Sequence, residues 1–186
     1  MGDWFQTIAD LDATAEEAPG LAEVVVADLV ADGIVSAERT DCGPGADGGH
    51  PPGSRYAEAF DGPDYGLLTL GWNGLFAWWG RSVVDTGQGG GEVGCPHCDA
   101  IESYNEPLGA AFIEAIDAWY AQRPSDTVCR HCGRTIGIND WRWADGVWAF
   151  ANLGLTFWNW PPLRNDFVAG IGRRLGHRVR LVAGKL

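Results

Sequence analysis

The tetrapeptide Cys95-Pro96-His97-Cys98 has a counterpart further along the chain, Cys129-Arg130-His131-Cys132. These two Cys-x-x-Cys turns are named knuckle 1 and knuckle 2. Each can offer two thiolates to one cation, and together they complete the tetrahedral four-sulfur shell that structural zinc prefers. Four of the five cysteines are used in this way. The pattern therefore predicts a structural Zn²⁺ site with Cys95, Cys98, Cys129 and Cys132 as its ligands.

Other interpretations of the knuckles stay open at this point. Four thiolates also bind iron, and His97 or His131 can replace a cysteine as a ligand. Cys-Pro-His-Cys is also an active-site sequence of thioredoxin-like disulfide oxidases, whose first cysteine must lie at a helix N-terminus. Here a glycine-rich stretch precedes the motif and a second Cys-x-x-Cys follows, which favours a metal. Four side chains in or beside the knuckles are expected to donate N–H···S bonds to the thiolates: Arg130, Arg134, His97 and His131.

The chain between the knuckles, residues 99–128, is longer than the usual zinc-ribbon spacing of about 15–20 residues. An amphipathic helix is predicted over 106–120 and fills this interval. We expect a single α+β domain over residues 1–186. Its zinc-held part spans roughly 92–140, with the helix inserted between the two knuckles.

In the remaining segments, the predicted helices and strands do not alternate regularly along the chain. Residues 4–32 have the appearance of a helix broken at Pro19-Gly20, and a second helix is predicted over 163–175. Strands are predicted over 67–70, 75–79, 82–84, 147–160 and 178–182, and the glycine- and proline-rich stretch 40–63 is predicted to be a long loop. This order favours an α+β fold with a mixed, largely antiparallel sheet, flanking helices and a four-cysteine site of zinc-ribbon type.

Charge and hydropathy narrow the classes of function. The net charge is −12, and residues 163–186 carry six basic residues against one acid, so the rest of the chain carries −17. An acidic body repels phosphate backbones, which argues against nucleic-acid binding, and the basic tail is expected to dock on that body. No apolar run reaches the ~18–20 residues of a membrane helix. We expect a cytoplasmic protein without membrane contact, in which paired cysteines bind metal rather than form disulfides.

Aromatic residues give a second set of candidate functional residues. Ten tryptophans are present, most of them around the predicted strands that flank the knuckles. Most should be core, while an exposed subset would form a docking patch, because tryptophan is favoured at binding hot spots. Trp158 and Trp160 are the candidate partner-binding residues. Of the two, Trp158 is expected in the core and Trp160, at the strand end before two prolines, is expected outside.

The chain also resembles a known group of proteins. The similarity lies in the two knuckles, in Asn152-Leu153-Gly154 with the stretch 157–163, and in the ending from 175 to 186. This combination is similar to a group of uncharacterised actinobacterial zinc-knuckle proteins that are often mislabelled as sugar ABC transporter ATPases. The resemblance implies no activity. A Gly-x-x-x-x-Gly-Lys-Ser/Thr phosphate loop does not occur, so nothing in the sequence would position a triphosphate.

These observations predict a non-catalytic zinc-binding protein that acts through protein–protein interaction, as an inhibitor, immunity or adaptor protein. The acidic body predicts a basic protein partner, because complementary charge speeds and selects association. One alternative is a zinc-ribbon protein that contacts nucleic acid through its basic C-terminal face. A second is an enzyme of unknown class with a site between the 40–63 loop, His50 and the tryptophans. The sequence assigns no role to Cys42.

Overall fold

A four-stranded antiparallel sheet forms the centre of the chain. The computed structural model describes residues 2–44, 48–63, 66, 69–87, 91–103 and 108–186. The sheet is built from β1 (Trp4–Asp10), β2 (Gly74–Asp85), β8 (Trp148–Trp158) and β9 (Val179–Lys185). Its strand order is β2-β8-β1-β9, and each pairing is antiparallel.

Two helices cover one face of this sheet. Helix α1 (Ala18–Ala31) has Pro19 in its first turn, where the fixed φ of proline suits the helix, and it buries Ala22, Val25 and Leu29 at helical spacing. Helix α3 (Asn165–Leu175) ends at Gly176 in the left-handed conformation, φ 72°, which glycine adopts without a steric penalty. Both helices pack in one hydrophobic cluster with Ile8, Leu155 and Phe157 of the sheet.

The segment from residue 92 to residue 143 forms a second packed unit, here called the cysteine lobe. Strands β3 (Glu92–Gly94), β4 (Ile101–Ser103) and β7 (Arg142–Trp143) make a small antiparallel sheet, and β5 (Thr127–Val128) pairs with β6 (Thr135–Ile136). Helix α2 (Leu108–Tyr120) lies between the two knuckles. The lobe has its own hydrophobic cluster, which reaches the central sheet at Phe150.

The predicted α+β class is confirmed, including the antiparallel pairing, the flanking helices and the helix between the knuckles. One large element was wrong: residues 4–10, predicted as helix, form β1. Strand β1 lies between β8 and β9, so Phe5 to Asp10 are all buried. A strand buried on both faces shows no alternation of polar and apolar residues, which removes the usual sequence signal.

The two predicted strands 75–79 and 82–84 are one strand. Strand β2 runs through both and accommodates the interruption as a β-bulge between Trp79 and Ser82. A bulge inserts an extra residue and bends the strand without ending it. In the predicted loop 40–63, residues 45–47 lie outside the described residues, and the segments around Val35, Thr40 and His50 form isolated β-bridges. Of the predicted strand 67–70, residues 67 and 68 lie outside the described residues, and Thr69 and Leu70 are not part of a strand.

Candidate metal centre

The two knuckles are built in the same way. The N–H of Cys95 donates to the Ala100 carbonyl, 2.9 Å, and the N–H of Cys129 donates to the Arg134 carbonyl, 2.9 Å, so each first cysteine opens a tight hairpin. The residue four places later has positive φ in both: 57° at Asp99 and 69° at Gly133. This shared turn directs both sulfurs of a knuckle to the same side.

The fold brings the two knuckles together. All four cysteine Sγ atoms lie within 4.8 Å of one another. Two contacts cross between the knuckles: Cys95 Sγ to Cys132 Sγ at 3.8 Å and Cys98 Sγ to Cys129 Sγ at 3.8 Å. A tetrahedron with metal–sulfur bonds of about 2.3 Å has sulfur–sulfur edges of roughly 3.8 Å. The cluster can therefore hold a metal ion, and the four cysteines are those that the sequence predicted.

The cluster is half inside and half outside the lobe. Cys95 and Cys129, the first cysteine of each knuckle, are buried in the same cluster as Phe112. Cys98 and Cys132 are exposed. A cation bound here would tie the inside of the lobe to its surface.

The thiols shift one another's protonation. Burial opposes ionisation of Cys95, but backbone N–H groups of His97 and Cys98 donate to its sulfur, and the net effect lowers its pKa to about 7. The Ala100 N–H favours the thiolate of Cys98, but partial desolvation and the neighbouring thiols of the cluster raise its pKa to about 12. The surroundings therefore favour the thiolate of Cys95 and oppose that of Cys98. A bound dication supplies the compensating charge and deprotonates coordinating thiols.

The basic side chains of the knuckles do not donate to sulfur, contrary to expectation. Arg130 Nε donates to Glu102 Oε2 at 2.9 Å, and His131 Nε2 lies 3.6 Å from Glu102 Oε1. Arg134 Nη1 lies 3.3 Å from His97 Nδ1. The charge-assisted bond to the buried Glu102 carboxylate accounts for the position of Arg130. Donation to sulfur comes from the backbone instead, as from the His97 N–H, whose nitrogen lies 3.4 Å from Cys95 Sγ.

These contacts connect the two knuckles outside the sulfur cluster. Glu102 lies on β4, just after knuckle 1, and its side chain is 5% exposed. It binds Arg130 and approaches His131, both of knuckle 2. Arg142 on β7 donates to Asp99 Oδ1 at 2.5 Å and to the Pro96 carbonyl at 3.3 Å, so it stabilises the turn of knuckle 1. Sequence reasoning missed Glu102 and Arg142, which carry no spacing signal that relates them to the cysteines.

The disulfide-oxidase interpretation does not fit this geometry. Knuckle 1 lies in the turn between β3 and β4 and does not begin a helix, although disulfide-oxidase chemistry depends on a helix N-terminus to stabilise the thiolate.

Cys42, the fifth cysteine, is not part of the cluster. It is buried at 5% exposure, and burial raises its pKa.

The two candidate partner-binding tryptophans are placed differently from the expectation. Trp160 is 2% exposed and its ring packs edge-on against Phe157 and Phe60, with centroids 5.1 and 6.4 Å away. Asn159, with φ 52°, interrupts the strand, so side-chain alternation does not continue to residue 160. The expected exposure of Trp160 was wrong, and Trp158 is the half-buried residue of the pair.

The basic tail docks on acidic residues of the same chain. Arg178 donates to Asp12 and Asp140, each at 2.7 Å, and Arg174 binds Asp32 at 2.5 Å.

His50, which the enzyme alternative names as part of a possible site, has its Nδ1 2.9 Å from the Ser36 carbonyl. No helix in the described part of the chain combines the length and apolar character needed to cross a membrane.

No family model, no curated protein and no solved structure matches the chain. The resemblance to the actinobacterial proteins therefore stays a prediction.

Proposed function

We propose that this is a non-catalytic protein in which Cys95, Cys98, Cys129 and Cys132 hold one structural zinc ion, and that it works by binding another protein. The observation that supports the metal is the cluster of four sulfurs within 4.8 Å. Four protein thiolates fill the tetrahedral shell of zinc and leave no open position for substrate or water. Such a centre stabilises a fold and does not catalyse a reaction.

The place of the cluster in the fold explains what the ion would stabilise. Cys95 and Cys129 belong to the lobe's hydrophobic cluster with Phe112 and Trp141. The two knuckles lie on either side of helix α2 in sequence, so a bound ion closes the loop that contains this helix. In small metal-held units the metal contributes on the order of 10 kcal/mol to folding. Zinc removal should therefore loosen the cysteine lobe before the central sheet.

Metal content and lobe stability test this part of the proposal. We expect one zinc ion per chain in the purified protein, and loss of zinc with a large loss of lobe stability in Cys132→Ser. Cys42→Ser is the matched control, because Cys42 is outside the cluster, and it should keep one zinc ion per chain. Iron in place of zinc would correct the identity of the metal. A metal-free chain with a Cys95–Cys98 disulfide would contradict the proposal.

The proposal of protein binding is supported by charge and by exposed aromatic residues. The chain carries a net charge of −12. Trp79 is 56% exposed and Trp4 is 51% exposed, which is unusual for the largest apolar side chain. Three of the six basic residues of the tail, Arg164, Arg174 and Arg178, pair with the chain's own carboxylates, which leaves fewer cations to neutralise a phosphate backbone and weakens the nucleic-acid alternative. We propose a basic protein as the partner.

An affinity capture from source cells tests the partner class. The zinc-loaded chain serves as bait, at low and at high salt, with an unrelated protein of similar charge as control. We expect a basic protein to be retained by the bait alone and released as salt rises. Recovery of nucleic acid, with loss of the captured proteins after nuclease treatment, would favour the nucleic-acid alternative instead.

A further inference from the structure

Strand β2 forms one edge of the central sheet, and both ends of that edge are covered. At one end His50 and Leu75 exchange two backbone hydrogen bonds, each 2.8 Å. At the other end helix α2 supplies two side chains: Trp119 Nε1 donates to the Ser82 carbonyl, and the Val83 N–H donates to the hydroxyl of Tyr120, both at 3.2 Å. Covering of this kind prevents a sheet edge from pairing with other chains.

No described residue pairs with the stretch between these two covers, here called the open stretch. Antiparallel pairing directs the N–H and C=O of alternate residues to the same side of a strand. Because Leu75 uses both groups toward His50, away from β8, the same groups of Ala77 and Trp79 also point outward. These four backbone groups have no hydrogen-bond partner among the described residues. The open stretch covers residues 76–81, about 20 Å at roughly 3.3 Å per residue.

A largely apolar groove of about 460 Å³ runs beside the open edge, between β2 and helix α1. Val26 and Val30 of the helix and Ala77 and Trp79 of the strand line it. The Trp79 ring is 56% exposed at its border. An edge strand with unpaired backbone groups and an adjacent apolar groove is the arrangement that binds an extended peptide: hydrogen bonds hold the backbone, and the groove takes a side chain.

The charge around the groove selects the kind of peptide. Helix α1 carries Glu23 and Asp28 and no basic residue, and Glu23 lines the groove. The first 41 residues contain ten acids and one arginine, a net charge of −9. That arginine, Arg39, also lines the groove, and its Nε donates to the Gly48 carbonyl. The surroundings therefore favour a positively charged ligand.

The two covers, the segment around His50 and the end of helix α2, also favour binding of an extended segment over binding of a second copy of this chain. A residue that pairs with the edge, as His50 does, lies one strand spacing beyond it, about 4.8 Å. The open stretch is therefore a slot between the segment around His50 and the end of α2. A single flexible segment can enter such a slot, whereas the edge strand of a folded copy would meet both covers.

We propose that this slot, the outer edge of β2 at Ala77 and Trp79 with the groove beside α1, binds an extended basic segment of a partner protein as an added β-strand. The inference rests on the proposed function of protein binding and names its site. Trp79 contacts an apolar side chain of the segment, while Glu23 attracts its basic residues.

A defined peptide tests the site on the full, zinc-loaded chain. The probe is a fluorescently labelled seven-residue peptide of alternating Arg or Lys and Val, capped at both ends. Binding is followed by fluorescence anisotropy, and the bound region is located by hydrogen–deuterium exchange. We expect saturable binding, slower exchange of the amides of Ala77 and Trp79, and at least tenfold weaker binding by Trp79→Ala. Trp4→Ala is the matched control, an equally exposed tryptophan outside the groove, and should bind like the unchanged protein.

Two altered peptides separate the contributions of backbone and charge. A peptide with proline at the central valine lacks an N–H donor and should bind at least tenfold more weakly. A peptide with Glu in place of Arg and Lys should not bind. Absence of saturable binding, equal binding by Trp79→Ala, or slowed exchange elsewhere would overturn the inference. So would slower exchange of Ala77 and Trp79 with rising protein concentration alone, which indicates self-association through this edge.

The peptide experiment and the affinity capture fail in distinguishable ways. A captured basic protein that is retained equally by Trp79→Ala would leave the proposed function in place and locate its docking surface outside the slot. Capture of nucleic acid would remove the proposed function itself.

Discussion

Replacing Trp160 with alanine should be among the most destabilising single changes in the central core. The side chain is 2% exposed, and its ring packs edge-on against Phe157, Phe60 and Tyr56. Trp→Ala substitutions at such sites cost about 3–5 kcal/mol, because apolar surface is lost and a cavity remains. We expect about 4 kcal/mol. At about 2–4 °C per kcal/mol for a chain of this size, the melting temperature should fall by roughly 8–16 °C.

Urea unfolding, followed by circular dichroism, measures this change against two controls. Trp160→Phe keeps an aromatic ring and should cost about 1–2 kcal/mol, since the Trp160 Nε1 has no acceptor among the described residues and no hydrogen bond is lost. Trp79→Ala, at a side chain 56% exposed, should change stability by less than about 0.5 kcal/mol. A loss below about 1 kcal/mol in Trp160→Ala would refute the assignment of this residue to the core.

Three further changes test the lobe and the sheet. Gly133→Ala should destabilise the lobe by about 1 kcal/mol in thermal unfolding, since φ is 69° but no atom lies within 4 Å of the new methyl group, and Gly133→Asn should cost less. Glu102→Gln should weaken zinc retention by about 10–100-fold, because the buried anion that orients Arg130 is lost. Competition with a chelator measures this change, and an unchanged zinc affinity would mean that the contact between Glu102 and Arg130 is incidental. The hydrogen bond to Asp10 raises the pKa of His177 above its usual value, so this pair stabilises the fold fully below pH ~6.5 and loses its effect as pH rises through the raised pKa. His177→Asn should therefore reduce the fall in stability with rising pH, and an identical pH profile would contradict this.

The metal cluster could be predicted because its signal is local. Two cysteines three residues apart can meet one cation from a tight turn, and two such turns supply four ligands, whatever the rest of the chain does. The structure adds what local spacing cannot contain. Glu102 and Arg130 are 28 residues apart in sequence, and their contact depends on how the two knuckles pack.

The central strand β1 was harder to predict, because burial on both faces of the sheet removes the alternation of polar and apolar residues that marks a strand. Strand β1 pairs with β8 and with β9, and each paired residue is more than 140 positions away in sequence. No pattern within residues 4–10 reports those neighbours. Helix α3 was predicted to within two residues of its observed bounds, whereas the predicted helix 4–32 matches α1 only in the part after residue 17.

Trp160 shows a different limit of sequence reasoning. Alternation along a strand predicts the side on which each residue lies only while the strand continues. Asn159 adopts φ 52°, and its side chain bonds to Asp3 and to the Trp72 carbonyl. These contacts to distant segments turn the chain before Pro161, so the orientation of Trp160 is decided by tertiary packing.

The most direct test of the central claim is the intact mass of the purified protein under native conditions. The account predicts the mass of the chain plus one zinc ion, less the protons that the four thiols release, and the same increment in Cys42→Ser but not in Cys129→Ser. A chain that carries no metal and is two or four mass units lighter than the reduced protein, as one or two disulfides would make it, would contradict the account.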